Sequence, residues 1–540
     1  MVAIIRHGDR TPKQKLKMEV SDESFINIFQ QYKGMTKGKI KLKKPRDMQK
    51  VLDTTRALLE KENIKESRSK LEQLKTVLEM YGHFSGINRK IQMKVITKTR
   101  LQLIAKWGGE LTAVGREEAE LMGKQYRSLY PGFYHLNDGI DTNKRLHRLH
   151  SSYQHDLKIY ASDEGRVQMT AAAFTKGFLA LNGELPPILV QMVKSANTNG
   201  LLDNETDELH EFAGQVKQRL HKIVQSKDVI NETRIGNVIP TASSTMNKSL
   251  LQKSLGKMVD QLYEQVKSMT ATIKYIPNEV ELYNHETVEI MLGRWSKLEK
   301  DFYDTSTGEF NVSKVPDIYD SIKYDILHNS VLAIPVMNDL YKTSQILADI
   351  VIPQEYGMTI AEKLNISHGY CVPLLQKIAV DLQANAYAGQ DDSVHRISSS
   401  YSDGVTNDRH IRTRLYFTSE SHIHSLFNIL RFGGLCNTDN EEWNKATQFL
   451  SNVNELNYMS QIVIKHYEDT SKSADDPARQ TIELYFSPGV ALPTDEQNNQ
   501  PVVAPMQKLH GSVNFADFID FFSDVCNVSF WNYSLQAQES

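Results

Sequence analysis

Arg6-His7-Gly8-Asp9-Arg10-Thr11-Pro12 follows directly on the apolar run Val2-Ala3-Ile4-Ile5. A histidine set between two arginines at the end of a buried strand has a definite chemistry. An imidazole displaces a phosphoryl group only when the anion is neutralised and its oxygens are held in line, and paired guanidinium forks do both. A lone histidine in such a place is ordinarily a packed or surface residue. Arg6, Gly8, Arg10 and Pro12 around it make His7 a candidate nucleophile.

Two more strand ends carry groups of the same kind. Leu157 to Ser162 reads as a core strand running into Asp163-Glu164-Gly165-Arg166 and an alanine-rich helix over about 167–181. Arg414 to Ser419 reads as another, running into Glu420-Ser421-His422-Ile423-His424 and a helix over 425–430. In an open α/β sheet the site lies beyond the carboxyl ends of the strands. His7, Arg6, Arg10, Arg166 and His422 are therefore expected to converge although far apart in the chain.

The remaining pattern supplies the frame. Thr112 is the expected N-cap of a helix running to about 130, with Ala119, Met122, Tyr126 and Leu129 on one face. Residues 46–80 have helical spacing. Ile40 and Leu42 alternate with lysines as in a strand with one lysine-coated face. Pro186 to Val193 reads as a further strand, Gln390 to Asp408 as a loop, and 461–467 with 481–486 as a hairpin. The expected core comprises 1–18, 101–200 and 361–540, with a basic insertion at 19–100 and a mainly helical insertion, including a cap, at 201–360.

At 540 residues the chain suits two to four structural units, and its net charge of −3 with 24% charged residues shows no global basic excess that would call for nucleic acid. Locally the balance differs. Lys13, Lys15 and Lys17, then Lys37 to Lys44, then Arg89 to Lys106 are basic stretches, with no carboxylate from Ile87 through Gly109. A charge run is usually a solvated face, yet three of them close in sequence to a phosphate-trapping turn point to a polyanion-receiving surface. Three cysteines, an odd number, suit a reducing cytosol better than a disulfide framework. Neither a leader nor an apolar run of membrane-spanning length is evident. A core strand starting at residue 2 suggests a piece of a longer polypeptide.

The words R-H-G-x-R-x-P, with Gly109-Glu110-Leu111-Thr112 and Gly115 before a helix, resemble the histidine acid phosphatases. The resemblance implies an α/β fold with a central, mostly parallel sheet flanked by helices and interrupted by largely helical insertions. It implies that His7 forms a phosphohistidine, that Arg6, Arg10, Arg166 and His422 hold the equatorial oxygens, and that no metal is required. The family's second motif is a His-Asp pair. His155-Asp156 precedes its strand, at the wrong end, and reads as structural, whereas at His422 the aspartate position holds Ile423. Isoleucine cannot protonate a leaving alkoxide. Either Glu164, Glu420, Asp9 or His424 substitutes, or the leaving group is itself a phosphate and needs little help.

Over Arg6 to Lys13, Phe84 to Lys94, Leu149 to Ala173, Ile188 to Asp203, Arg294 to Asp301, Asp317 to Asn329 and Leu415 to Leu435, the chain closely resembles the carboxy-terminal, phosphatase-like half of the diphosphoinositol pentakisphosphate kinases, bifunctional cytosolic enzymes. This implies inositol pyrophosphates as substrates, inositol hexakisphosphate as a further substrate or a product, and a kinase domain upstream in the same polypeptide. Lys13, Lys15, Lys17, Lys94, Arg100 and Lys194 would suit so many phosphates. Ile423 keeps a rival open: a module that binds such ligands and restrains an attached kinase without turning them over. A broad phytase-like phosphomonoesterase is the third reading. A structural zinc on His147, His150 and His155, or on His368 with Cys371, is the minority reading, since neither set has a strong zinc spacing.

Overall fold

The computed structural model describes residues 1–80, 89–97, 99–129, 157–179, 201–202, 206–225, 255–386, 413–436, 439–453, 455–491 and 502–527. The longer elements are β1 (Val2–Arg6), β2 (Gln14–Val20), α1 (Glu23–Gln31), β3 (Lys39–Leu42), α2 (Pro45–Leu59), α3 (Arg68–Glu79), β4 (Lys90–Thr97), β5 (Arg100–Trp107), α4 (Ala113–Leu129), β6 (Leu157–Ala161), α5 (Gly165–Leu179), α6 (Asp207–Val224), α7 (Leu255–Ile273), α8 (Val288–Phe302), α9 (Val315–His328), α10 (Met337–Glu355), α11 (Ile360–Ala386), β7 (Thr413–Thr418), α12 (Glu420–Phe432), α13 (Glu441–Ser451), β8 (Gln461–Glu468), β9 (Gln480–Ser487), β10 (Gln507–Asn514) and α14 (Phe515–Asn527). They fall into two units. One comprises Met1–Asp9, Leu111–Met258 and Ile346–Ser540, the other Arg10–Glu110 and Val259–Gln345.

The first unit is an α/β layer structure. Its six-stranded sheet has the order β10-β9-β8-β1-β7-β6. β1 runs parallel to β7, Val2 opposite Arg414 and Arg6 opposite Thr418, and β7 runs parallel to β6. On the other side β8, β9 and β10 continue the sheet antiparallel, β8 and β9 forming the expected hairpin. All five residues of β1 are buried, as a strand covered on both faces requires. Alternate residues serve opposite layers. Val2 and Ile4 pack with Leu374, Ile378, Leu426 and Phe522 from α11, α12 and α14, whereas Ala3 and Ile5 pack with Met122, Ala171 and Phe174 from α4 and α5. Facing glycines, Gly123 and Gly177, let α4 and α5 approach so closely that a Cβ on either would collide with the other helix's backbone.

The second unit holds a four-stranded antiparallel sheet, β2-β5-β4-β3. Leu16, Met18, Leu101, Leu103, Ile91 and Met93 form its apolar face, covered by Phe25, Phe29, Met48, Val51, Leu71 and Leu74 of α1, α2 and α3. The opposite face is cationic. Lys15 lies across from Lys106, which lies across from Lys90, so three lysines form one row over three strands. Elsewhere Arg294 is buried against Asp325 at 2.9 Å and Glu286 at 3.1 Å, the only way such a charge is tolerated inside.

The unit boundaries differ from the expected ones. Pairing of Gln14 with Trp107 through Val20 with Leu101 takes residues 10–18 and 101–110 into the lysine-faced sheet, not the core. Residues 259–345 group with that sheet too, so 19–100 and 201–360 are not separate insertions. The expected strand at 186–193 and loop at 390–408 lie outside the described residues.

Candidate active site

Because β1 and β7 are parallel neighbours in register, His7 and Ser419 leave the sheet at the same end, and β6 delivers Glu164 and Arg166 there too. His7 N–H donates to the Thr418 carbonyl (3.1 Å), which continues the sheet by one bond. Gly8 then meets α4. A Cβ there would lie 2.8 Å from the Gly115 carbonyl oxygen, so only glycine lets the turn pass. Its N–H donates to Thr170 Oγ1 (3.1 Å), and that hydroxyl donates one helical turn back to the Arg166 carbonyl (2.7 Å).

The partners of His7 assign its tautomer. Nδ1 is 2.8 Å from the Gly8 carbonyl, which only accepts, so Nδ1 carries the proton. Arg166 Nε donates to Nε2 over 3.0 Å. The Nε2 lone pair therefore faces a guanidinium, where an incoming phosphate would also be drawn.

Each arginine here already faces a carboxylate. Arg6, 4% exposed, pairs with Glu420, and Arg166 pairs with Glu164. In the second unit Arg10 pairs with Asp320. Of the other proton-donor candidates, Asp9 is buried and accepts from the Thr112 hydroxyl (2.7 Å), which itself caps α4 by accepting from Gly115 N–H. His424 is buried, stacked on Tyr356 at 4.8 Å, with Nε2 3.7 Å from Glu420 Oε1. Burial first, then Arg6 and Lys363, hold its pKa well below the usual range.

α12 starts at Glu420, earlier than expected, so His422 and His424 lie inside the helix and not in a loop before it. His422 is 1% exposed, burial pushes its pKa down to about 4, and neither ring nitrogen has a described hydrogen-bond partner. The same helix explains Ile423. It is fully buried among Leu426, Leu374 and Ile462, a core position where an aspartate would sit in oil.

Lys15 and Lys17 lie on the cationic face of β2, where burial, then Lys17, Lys106 and Lys297, lower the Lys15 pKa. Lys13, Lys94 and Arg100 are exposed. Lys194, His147, His150, His155 and Asp156 lie outside the described residues. Cys371 Sγ points to the His422 carbonyl at 3.5 Å, and among the described residues no three His, Cys, Asp or Glu side chains gather as a metal set. Sequence reasoning missed Thr170, Tyr458 and the Leu456 carbonyl, which accepts from Arg6 Nη1. Beyond the expected polyanion-receiving surface, period two at Ile91, Met93, Leu101, Leu103 and Ala105 places Lys90 and Lys106 on one sheet face.

Residues 1–487 match the family model described as histidine phosphatase superfamily, branch 2. The chain is 51% identical over 531 residues to inositol hexakisphosphate and diphosphoinositol-pentakisphosphate kinase 2 of Mus musculus, covering 93% of this chain and 46% of that protein. The corresponding kinase of Caenorhabditis elegans is 43% identical, over 91% of this chain and 42% of its own. The chain thus spans less than half the length of these relatives. A solved Klebsiella phytase aligns with a TM-score of 0.37 at 12% identity, over 78% of this chain and 86% of its own. Among the described residues no helix is long and apolar enough to cross a membrane.

Proposed function

Because the chain belongs to branch 2 of the histidine phosphatase superfamily, we propose that it removes a phosphate from diphosphoinositol polyphosphates through a phosphohistidine on His7. The observation that carries this reading is the fixed tautomer of His7, with Nδ1–H tied to the Gly8 carbonyl and the Nε2 lone pair set beside a guanidinium. In the reaction Nε2 attacks phosphorus, and the bond to the leaving oxygen breaks with its electron pair going to that oxygen. Arg6 and Arg166 turn from Glu420 and Glu164 to the equatorial oxygens, while His422, and Arg10 on the resemblance alone, serve the same anion. Water then cleaves the phosphohistidine. Positioning and charge neutralisation supply most of the rate in such transfers, so the reading invokes no cofactor.

The substrate class is supported by the names of the relatives and by the lysine face, with Lys13, Lys15, Lys17, Lys94, Arg100 and Lys194 as its proposed contacts. Attack on the terminal phosphorus of a diphosphate expels the ring-bound phosphate, which is far less basic than an alkoxide, so a buried Ile423 in place of an acid is tolerable. Glu420 and Glu164 are the favoured proton donors, because both stay partly open to solvent and lose their cationic partners when Arg6 and Arg166 turn to the phosphate. A kinase region in the remainder of the full-length protein and a cytoplasmic location belong to the same proposal. Assay of phosphate release from diphosphoinositol pentakisphosphate tests it: His7→Ala should abolish release and leave binding largely intact, and unchanged turnover would refute it. Binding without release by the parent protein would favour the restraining-module reading that Ile423 supports.

A further inference from the structure

The nucleophile is held from one side by a loop that no motif announces. In residues 456–460, between α13 and β8, the Ser460 carbonyl accepts from Arg6 N–H (2.9 Å), the Leu456 carbonyl accepts from Arg6 Nη1, and Met459 N–H donates to the His7 carbonyl (3.3 Å). Tyr458, 7% exposed, sets its ring 4.8 Å from Arg6 Cζ and 5.6 Å from the centre of the His7 imidazole, tilted by 39°. The loop is tied down around that ring. Val490 N–H donates to the Tyr458 carbonyl (2.9 Å) and Asn457 N–H to the Pro488 carbonyl (2.9 Å). Gly489, at φ 93°, comes so close that a Cβ would lie 2.6 Å from Ser460 N. Met459, fully buried, holds φ 60°, a left-handed conformation that a non-glycine residue keeps only when its surroundings impose it.

We propose that Tyr458 is a positioning residue for phosphoryl transfer, acting through His7 and Arg6; the proposal rests on His7 being the nucleophile. As Nε2 bonds to phosphorus and the electron pair of the broken bond leaves with the departing oxygen, the imidazole keeps its Nδ1 proton and becomes cationic. An aromatic face within about 6 Å of a cation stabilises it. The ring centres of Tyr458 and His7 lie inside that range, and the Arg6 guanidinium carbon lies over the same ring at 4.8 Å. Its benefit grows as charge develops on the imidazole, so it acts on kcat more than on KM.

The test follows phosphoenzyme formation on the whole chain with labelled diphosphoinositol pentakisphosphate, stopped in alkaline denaturant where phosphohistidine survives. Tyr458→Phe keeps the ring and should form phosphoenzyme within about twofold of the parent rate, whereas Tyr458→Leu should be about tenfold slower at similar KM. Phenylalanines with one, two and three ring fluorines at position 458 keep the shape and drain the face of electrons, so the rate should fall stepwise along the series. This series carries the test even where the leucine variant misfolds. A flat fluorine series, or a folded leucine variant at the parent rate, overturns the role of Tyr458. Failure of the parent itself to form phosphoenzyme overturns the reading of His7 beneath it.

Discussion

Lys106 has a lysine on either side of it in the sheet, Lys15 on β2 and Lys90 on β4, and methionine there keeps the stem while removing the charge. Directly opposed residues in such a pair have Cβ atoms about 5 Å apart, so their ammonium groups sit roughly 6 Å apart. Two unit charges at that distance repel by about 0.7 kcal/mol in water, and the central lysine meets two such neighbours. Screening at physiological ionic strength removes roughly half. Lys106→Met should therefore stabilise the ligand-free protein by about 0.5–1 kcal/mol and raise the thermal midpoint by roughly 1–3 °C, a gain that fades toward about 1 M salt. The lowered pKa of Lys15, caused by burial and then by Lys17, Lys106 and Lys297, agrees in sign. With excess inositol hexakisphosphate the order should reverse, because the variant loses one phosphate partner and binds about tenfold more weakly. Thermal melts with and without ligand at two salt concentrations, with calorimetric titration, measure both halves. A variant destabilised without ligand at low salt, or shifted by ligand as far as its parent, would refute the reasoning.

Two further outcomes are expected. Lys363, 2% exposed in α11 with its amine donating to the Pro353 carbonyl, has its pKa pushed by burial from 10.5 to about 7. Between those values the unfolded chain holds one proton more, so stability rises with pH from about 7 to 10.5 and loses this dependence below. Lys363→Met should exceed its parent by about 2–4 kcal/mol at neutral pH and lose the advantage toward pH 10.5; urea titrations showing a pH-independent difference would contradict this. Glu420→Gln, assayed on phosphate esters of graded leaving-group basicity, should lower kcat by about 10²-fold for basic leaving groups and barely for diphosphates. A uniform loss across the series would remove Glu420 as the proton donor.

The strands that carry the site were legible from their apolar records, continuous in Val2 to Ile5 and Leu415 to Phe417 and alternating around the exposed Lys158 in Leu157 to Ala161. Of the residues expected to converge, Arg6, His7, Arg10, Arg166 and His422, the parallel pairing of β1, β7 and β6 brings the strand ends that carry Arg6, His7, Arg166 and the start of α12 to one end of the sheet. The early start of α12 was not legible, since Ser419 caps it without a side-chain hydrogen bond and Ile423 reads as a lost motif until the helix turns it into the core. Tyr458 was invisible for a different reason. Its contact with His7 is set by loop geometry at Met459 and Gly489, and Glu455, the charged residue nearest to it in sequence, belongs to no motif that would mark a site. Charge in the first hundred residues does not mark strand pairing, so the joining of 14–20 to 101–107 in one sheet was not legible from it.

β1 sits between β7 and β8, whose residues are made long after it. At a synthesis rate of about 5–20 residues per second, the emerging chain waits roughly 20–80 s before either neighbour exists to receive it. During that interval Val2 to Ile5 is an exposed apolar ribbon with no ladder on either edge, a substrate for chaperones and for self-association. A chain whose synthesis stops anywhere before β7 contains His7 but neither of the strands that flank β1 in the sheet.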